Sequence, residues 1–315
     1  MDRNAGSGAA AGRSFAGDAG RSFAGGAGQA AAAGRFEAER GRLRAIAQRM
    51  LGSTDEAEDA VQEAWLRLVR TDRAEIDNLP GWLTTVVSRI CLDLLRARAA
   101  RREEPAEEPL PDVSGGPEPE REALLVESVG RALLVVLDRL GPAERVAFVL
   151  HDGFAVPFDR IAPIVGRTPA AAKKLASRAR QRVRGTAVLP PEPLAGHRRV
   201  VEAFLAAARG GDLAELLAVL APDVVRRADP AVLGPGRAEV VRGARAVARE
   251  TTVFGRRARY GAVALVDGVP GILIAPDGRL RLVLRTAVAD GRVAGYEVVA
   301  DPARLAALEL AVLPG

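Results

Sequence analysis

The hydrophobic period of this chain changes once, and that change limits the folds open to it. Up to about residue 184 the apolar residues return every three or four positions; after Phe254 they return every two. The first spacing gathers side chains on one face of an α-helix, the second on one face of a strand. Helices first and strands last predict separate units, an all-α part followed by an α+β part.

The helical part divides further. Leu43, Ile46, Ala47, Met50 and Leu51 make the stripe of one amphipathic helix. Gly52 ends it, and Ser53 with Glu56 three positions on opens a second helix as a capping box. Its stripe is Ala57, Ala60, Val61, Ala64, Trp65 and Leu68. A polar stretch, TDRAEIDN, leads to Pro80, which suits the first turn of a third helix. Trp82, Leu83, Val86, Val87, Ile90 and Leu94 are its expected buried face. Residues 105–120, PAEEPLPDVSGGPEPE, have no period and read as a linker. Helical spacing resumes over 121–185. A second Pro-rich break at 186–196 predicts a stiff, extended connection.

The last unit, 197–315, is expected to begin with helices at about 197–209, 212–220 and 236–250. GAVALVDG, GILIAP, RLRLVLRTAVADG and RVAGYEVVA then read as strands of a curved antiparallel sheet, parted by DG and PDG turns. At the other end, residues 1–34 are Gly, Ala and Ser with the echo GRSFAGDA and GRSFAGGA. That composition buries too little apolar area to offset the entropy of ordering, so a disordered tail is expected.

Net charge is +5, modest for 315 residues, so its distribution matters more than its sum. From Arg167 to Arg184 there are seven basic residues and no acidic one. Phe158, Ile161, Ile164 and Val165 give a short helix before it, Gly166 permits the turn, and Thr168–Pro169 is a fair helix start. Such a pair is a helix-turn-helix, whose second helix would enter the major groove of DNA. The opposite sign gathers between Gly52 and Ala64, where Asp55, Glu56, Glu58, Asp59 and Glu63 stand without a basic residue. A face of that sign on a DNA-binding protein suits a basic protein partner. The third helix, with Trp82, Arg89 and a basic end, offers an aromatic and basic surface suited to unstacked bases.

Other chemistry has little support. Cys91, the only cysteine, cannot form an internal disulfide and reads as a buried thiol. No run of about 18 apolar residues and no apolar leader core is seen, so a cytoplasmic protein without a membrane span is expected. No P-loop, nucleophile or metal signature appears. The histidines are His151 and His197 alone, and Asp229, Asp267, Asp277 and Asp290 fall mostly at turns, where Asp serves the turn. No catalysis, cofactor or metal is expected.

The segments MLGSTDEAEDAVQEAWLRL, LPGWLTTVVSRICLDLLRARAARRE and LDRLGPAERVAFVLHDGFAVPFDRIAPIVGRTPAAAKKLASRARQRVR resemble the extracytoplasmic-function sigma factors of bacterial RNA polymerase. The resemblance implies a multidomain chain: an all-α region 2 bundle over 35–104, a region 4 helix-turn-helix over 121–185, and an α+β SnoaL-like (nuclear-transport-factor-like) cone as C-terminal extension. It implies that Asp55, Glu58, Asp59, Gln62 and Glu63 meet the clamp helices of the polymerase β′ subunit, and that region 4 meets the β flap. It implies further that Asn78, Trp82, Thr85 and Arg89 capture the melted −10 element. The −35 duplex would be read by Lys173, Lys174, Ser177, Arg178 and Arg180. The extension is expected to modulate the sigma factor by contact with the other units, with or without a small ligand. A Gly-rich segment usual in that subgroup is here ADPAVLGPGRAEV. The alternative is a helix-turn-helix regulator that acts without core polymerase and senses a ligand through its C-terminal domain.

Overall fold

A computed structural model describes residues 19–71, 76–102, 121–233 and 236–314. The first helical unit is α1 (Ala19–Leu51), α2 (Thr54–Arg70) and α3 (Leu79–Arg102). Leu43, Ile46, Ala47 and Met50 of α1 are fully buried, and Ala57, Ala60, Val61, Ala64 and Leu68 of α2 are buried with them. Phe36 meets Trp65 with ring centroids 5.1 Å apart. The small residues of α2 let its backbone approach α1 closely. The Ser53 hydroxyl caps α2 by accepting from the Glu56 N–H at 3.4 Å.

Two expectations for this unit fail. Helix α1 begins at Ala19, so residues 19–34 are helical where a disordered tail is predicted; residues 1–18 lie outside the described residues. Alanine loses no side-chain entropy in a helix, and the run Ala30–Ala33 extends a helix already anchored by the buried Phe36. On α3, Leu94 is exposed, while Cys91, Leu92 and Leu95 are buried. This helix packs on two sides, against α1 and α2 and against α5 and α6 of the next unit. Its buried positions therefore do not follow one stripe.

The second helical unit is α4 (Arg121–Asp138), α5 (Pro142–Phe148), α6 (Phe158–Val165) and α7 (Pro169–Arg184). A single π-helical turn at Val149–Gly153 continues α5. The predicted linker at 105–120 lies outside the described residues.

The third unit opens with α8 (Pro191–Gly210), not at residue 197. Pro191 and Pro193 fall in its first turn, where a missing N–H costs nothing. What remains of the predicted linker is not free. The Val188 N–H donates to the Gly268 carbonyl at 2.9 Å, and Leu189 and Leu194 pack with Leu265 and Ala311. After α9 (Leu213–Val219) come β1 (Leu220–Ala228), β2 (Val240–Arg242) and α10 (Ala244–Ala258). Then follow β3 (Gly261–Val266), β4 (Val269–Ile274), β5 (Leu282–Ala289), β6 (Arg292–Val299), α11 (Pro302–Ala307) and β7 (Leu310–Ala311).

The strand order is β2-β1-β6-β5-β4-β3-β7. All neighbours are antiparallel except β1 and β6, which are parallel. The sheet is thus mixed rather than antiparallel throughout, and β1 lies almost wholly in a stretch where the sequence predicts no element. Pro222 and a pair of arginines disguise β1 in the sequence; Arg226 is buried because Glu250 neutralises it. The DG turns are as read: Asp267–Gly268 and Asp290–Gly291 all have positive φ, between 49° and 80°, the turn that matches strand twist.

The sheet buries both faces. Ile272, Ile274, Leu282 and Tyr296 join a cluster with Phe204 of α8 and Val247 of α10. Their strand neighbours Leu273, Ala275 and Val283, with Val299, join a second cluster that runs on into both helical units. Helix α4 lies on β3. Polar contacts fasten the joint: Arg139 donates to the Leu305 and Ala306 carbonyls at 2.8 and 3.2 Å, and Arg131 to the Arg259 carbonyl at 3.0 Å. The Val312 N–H donates to the Val183 carbonyl at 2.8 Å.

Candidate nucleic-acid and protein interfaces

The helix-turn-helix is built as its sequence predicts. Gly166 ends α6 with φ 66° and ψ 44°, a left-handed conformation that suits glycine. The Thr168 hydroxyl then accepts from the Ala171 N–H at 3.3 Å, and Pro169 is the first residue of α7. Ala172, Ala176, Ala179 and Val183 are buried toward α5 and α6. Lys173, Lys174, Ser177 and Arg178 are exposed, and the three cations have no ion pair among the described residues. Arg180 differs. Its Nε and Nη2 donate to the two carboxylate oxygens of Asp152 at 2.7 and 3.0 Å. Those hydrogen bonds raise the Arg180 guanidinium above its ordinary pKa. Of the five residues expected to face DNA, this one is committed inside the unit.

The acidic helix sorts its charges in the same way. Asp55, Asp59 and Gln62 are exposed, and neither aspartate has an ion pair among the described residues. Glu58 is held by Arg40 and by Arg44 of α1, the latter at 3.6 Å. Its hydrogen bond from Arg40 lowers the carboxyl below the usual range. Glu63 pairs with Arg67 one turn on, at 3.0 Å. Glu56 pairs with Arg98, which also donates to the Leu51 carbonyl at 2.8 Å and so closes the end of α1.

The start of α3 is partly engaged, while Asn78 and Arg89 stay exposed. Asn78 Oδ1 accepts from the Gly81 N–H at 3.1 Å, and the Thr85 hydroxyl donates to the Gly81 carbonyl at 3.0 Å. Trp82 is half-buried against the core. Arg89 donates to the Pro163 carbonyl of α6 at 3.3 Å. The Arg160 guanidinium, also of α6, stands where a side chain on Gly81 would begin, 2.5 Å from that Cβ position. The four expected −10 residues run from just before α3 to its middle, and α6 touches this stretch at Gly81 and Arg89. Arg160 escapes sequence reasoning because nothing in the period of α6 says which helix its outer face will meet.

Among the described residues no three His, Cys, Asp or Glu side chains are grouped to hold a metal ion, and no helix is long and apolar enough to cross a membrane. Cys91 is fully buried, and burial pushes its thiol up to about 12. His151 stacks on Phe158 at 4.0 Å and its Nδ1 lies 3.1 Å from the Val156 carbonyl, a structural placement. The third unit holds a cavity on the inner face of its sheet, lined by α8, α10, β1 and β4 to β6.

Known proteins are similar to this chain in sequence. The family model described as Sigma-70 region 2 matches residues 35–101, and that described as Sigma-70, region 4 matches residues 130–183. The chain is 40% identical over 286 residues to the ECF RNA polymerase sigma factor SigJ of Mycobacterium tuberculosis (strain ATCC 25618 / H37Rv), covering 85% of this chain and 91% of SigJ. It is 36% identical over 278 residues to the probable ECF RNA polymerase sigma factor SigI of the same strain, covering 86% of this chain and 93% of SigI. The crystal structure of M. tuberculosis SigJ aligns with 87% of this chain and 98% of its own, at 36% identity and a TM-score of 0.42.

Proposed function

The chain belongs to the ECF RNA polymerase sigma factors, and from that premise we propose that two charged helix faces divide its work. The acidic face of α2 docks on the polymerase core, and the basic face of α7 holds the −35 duplex. The observation that carries this reading is the sorting of charge. On each helix some ionic groups are tied up within the fold, while Asp55 and Asp59 on one, and Lys173, Lys174 and Arg178 on the other, are left outward. Unpaired like charges on a helix face cost a little stability through repulsion, which a partner of opposite sign offsets. Gln62 and Ser177 lie on the same faces and add neutral hydrogen-bonding capacity. Arg180 is a brace for α7, and Glu58 and Glu63 shape α2 rather than meet the β′ clamp directly.

Asn78, Trp82, Thr85 and Arg89 take the melted −10 strand once α6 has left them, and region 4 then also reaches the β flap. The chain works in the cytoplasm by binding, with no catalytic step of its own. The third unit, a SnoaL-like cone, modulates this by holding the helical units in their packed arrangement through α4. A regulator acting without polymerase leaves the acidic face of α2 idle and is not favoured.

The test is co-elution of the purified chain with RNA polymerase core. An Asp55→Lys/Asp59→Lys variant is expected to lose the complex while keeping its helical circular dichroism, because neither carboxylate has an ion pair among the described residues. Retention of the complex by this variant refutes docking through α2.

A further inference from the structure

The cavity in the third unit measures about 110 Å³. Phe204, Leu205, Ile272, Ile274 and Leu282 form apolar walls. An apolar cavity of this kind lowers stability where its lining lacks contact partners on one side. An occupant removes that cost.

The polar lining says which occupant. Arg226 is buried, and four of its five N–H groups are engaged. Nε donates to Glu250 Oε2 at 2.9 Å and Nη2 to the same oxygen. Nη1 donates to the Ala238 and Glu239 carbonyls at 2.9 and 3.2 Å. The pair is therefore neutral as a unit; the other arginine of the lining, Arg257, stands at the α10 wall and is engaged by an interaction of its own. Thr251 Oγ1 donates to the Val247 carbonyl at 2.9 Å. Its 3.1 Å contact with Tyr296 consequently uses the phenol as donor. What remains open is acceptor capacity, on the Tyr296 oxygen and on Glu250 Oε1. Burial pushes the Tyr296 phenol up to about 12, so it stays protonated at neutral pH.

The same strands carry the joint to the helical units. Ile272 and Ile274 line the cavity, while Leu273 and Ala275 between and beside them face the shared core. At the cavity's α10 wall, Arg257 and Ala258 directly precede Arg259, whose carbonyl accepts from Arg131 of α4. Arg131 also lies over the Tyr260 ring, 5.8 Å from its centroid. A change of packing inside the cavity thus meets the α4 contact within one strand's thickness.

We propose that this cavity binds a small, neutral, mainly apolar molecule carrying a hydroxyl donor, an alcohol or a phenol, and that its occupancy alters the docking of α4 on the sheet. The second half rests on the modulating role proposed for the third unit.

Three probes of one shape separate the chemistry: 4-ethylphenol, ethylbenzene and 4-ethylbenzoate, titrated calorimetrically into the full chain. The phenol is expected to bind at least about tenfold more tightly than the hydrocarbon, an energy of one good hydrogen bond, and the benzoate not measurably. In Tyr296→Phe the preference for phenol over hydrocarbon should shrink, Glu250 Oε1 being the acceptor that remains. Ala208→Leu, which fills space, should abolish binding of both; if it fails to fold by circular dichroism, Leu284→Phe replaces it. Absence of binding to the folded chain overturns the site. Equal affinity for hydrocarbon and phenol, or preference for the benzoate, overturns the ligand class. Hydrogen exchange in α4 should change on saturation with 4-ethylphenol, and unchanged protection overturns the coupling. The modulating role fails separately: it falls if Arg139→Ala, which loosens the joint without touching the cavity, leaves promoter-dependent transcription unaltered.

Discussion

Asp229 ties together parts of the third unit that are far apart in the chain. Its Oδ2 accepts from the Ala300 and Asp301 N–H groups at 2.9 and 3.0 Å, and its Oδ1 from Arg304. Burial alone would raise this carboxyl, but the two backbone donors and the Arg304 charge hold it below the usual carboxylate range. A group whose native pKa lies below its unfolded value adds stability above the unfolded value, and loses it as pH falls through the native one. Asp229→Asn should therefore cost about 2 kcal/mol at pH 7, through buried donors left unpaired, and progressively less under acid. Urea denaturation at both ends of that range checks the sign. The sequence shows Asp229 only as an aspartate before a proline, because its partners lie so far downstream. Arg180 is hidden for a similar reason: in the sequence it is one more cation of α7, and only the fold brings Asp152 to it. Lys174→Ala should weaken duplex binding and reduce its salt slope by about 1. Arg180→Ala should lower stability and leave the slope nearly unchanged. Anisotropy over a salt series distinguishes the two.

At the scale of elements, legibility follows how local the determining signal is. The boundaries of α2 and α7 are readable because Ser53, Gly166, Thr168 and Pro169 act within a turn of where they stand. Gly166 has open space about the position of a Cβ, so Gly166→Ala should cost about 1 kcal/mol from the left-handed backbone alone; thermal unfolding measures it. The hairpins at Asp267–Gly268 and Asp290–Gly291 are readable for the same reason. By contrast β1 is defined by neighbours on β2 and β6, and its buried Arg226 looks like surface until Glu250 is placed beside it. The burial of α3 is misjudged at Leu94 because two units, not one, claim that helix. The candidate faces of α2 and α7 follow from local charge, whereas the covering of Gly81 by Arg160 depends on how whole units meet.

Across the whole molecule, the two helical units and the outer face of the sheet share one apolar core. In that arrangement α6 contacts α3 beside the residues expected to take the melted strand. The apparent affinity of a competent state falls in proportion to its population. Arg160→Ala, which removes a contact between units without touching an expected DNA-binding residue, should raise promoter affinity by about two- to tenfold. An unchanged affinity in gel-shift titrations with core polymerase would show that the packed form does not compete.

A shared core also gives recruitment a calorimetric character. Association of preformed surfaces buries apolar area and lowers heat capacity. On the proposed function, engagement of promoter and polymerase parts α3 from α6 and wets the apolar surface between them, which raises heat capacity. The two contributions oppose each other, so complex formation by this chain should show a smaller heat-capacity decrease than the area of its final interfaces implies.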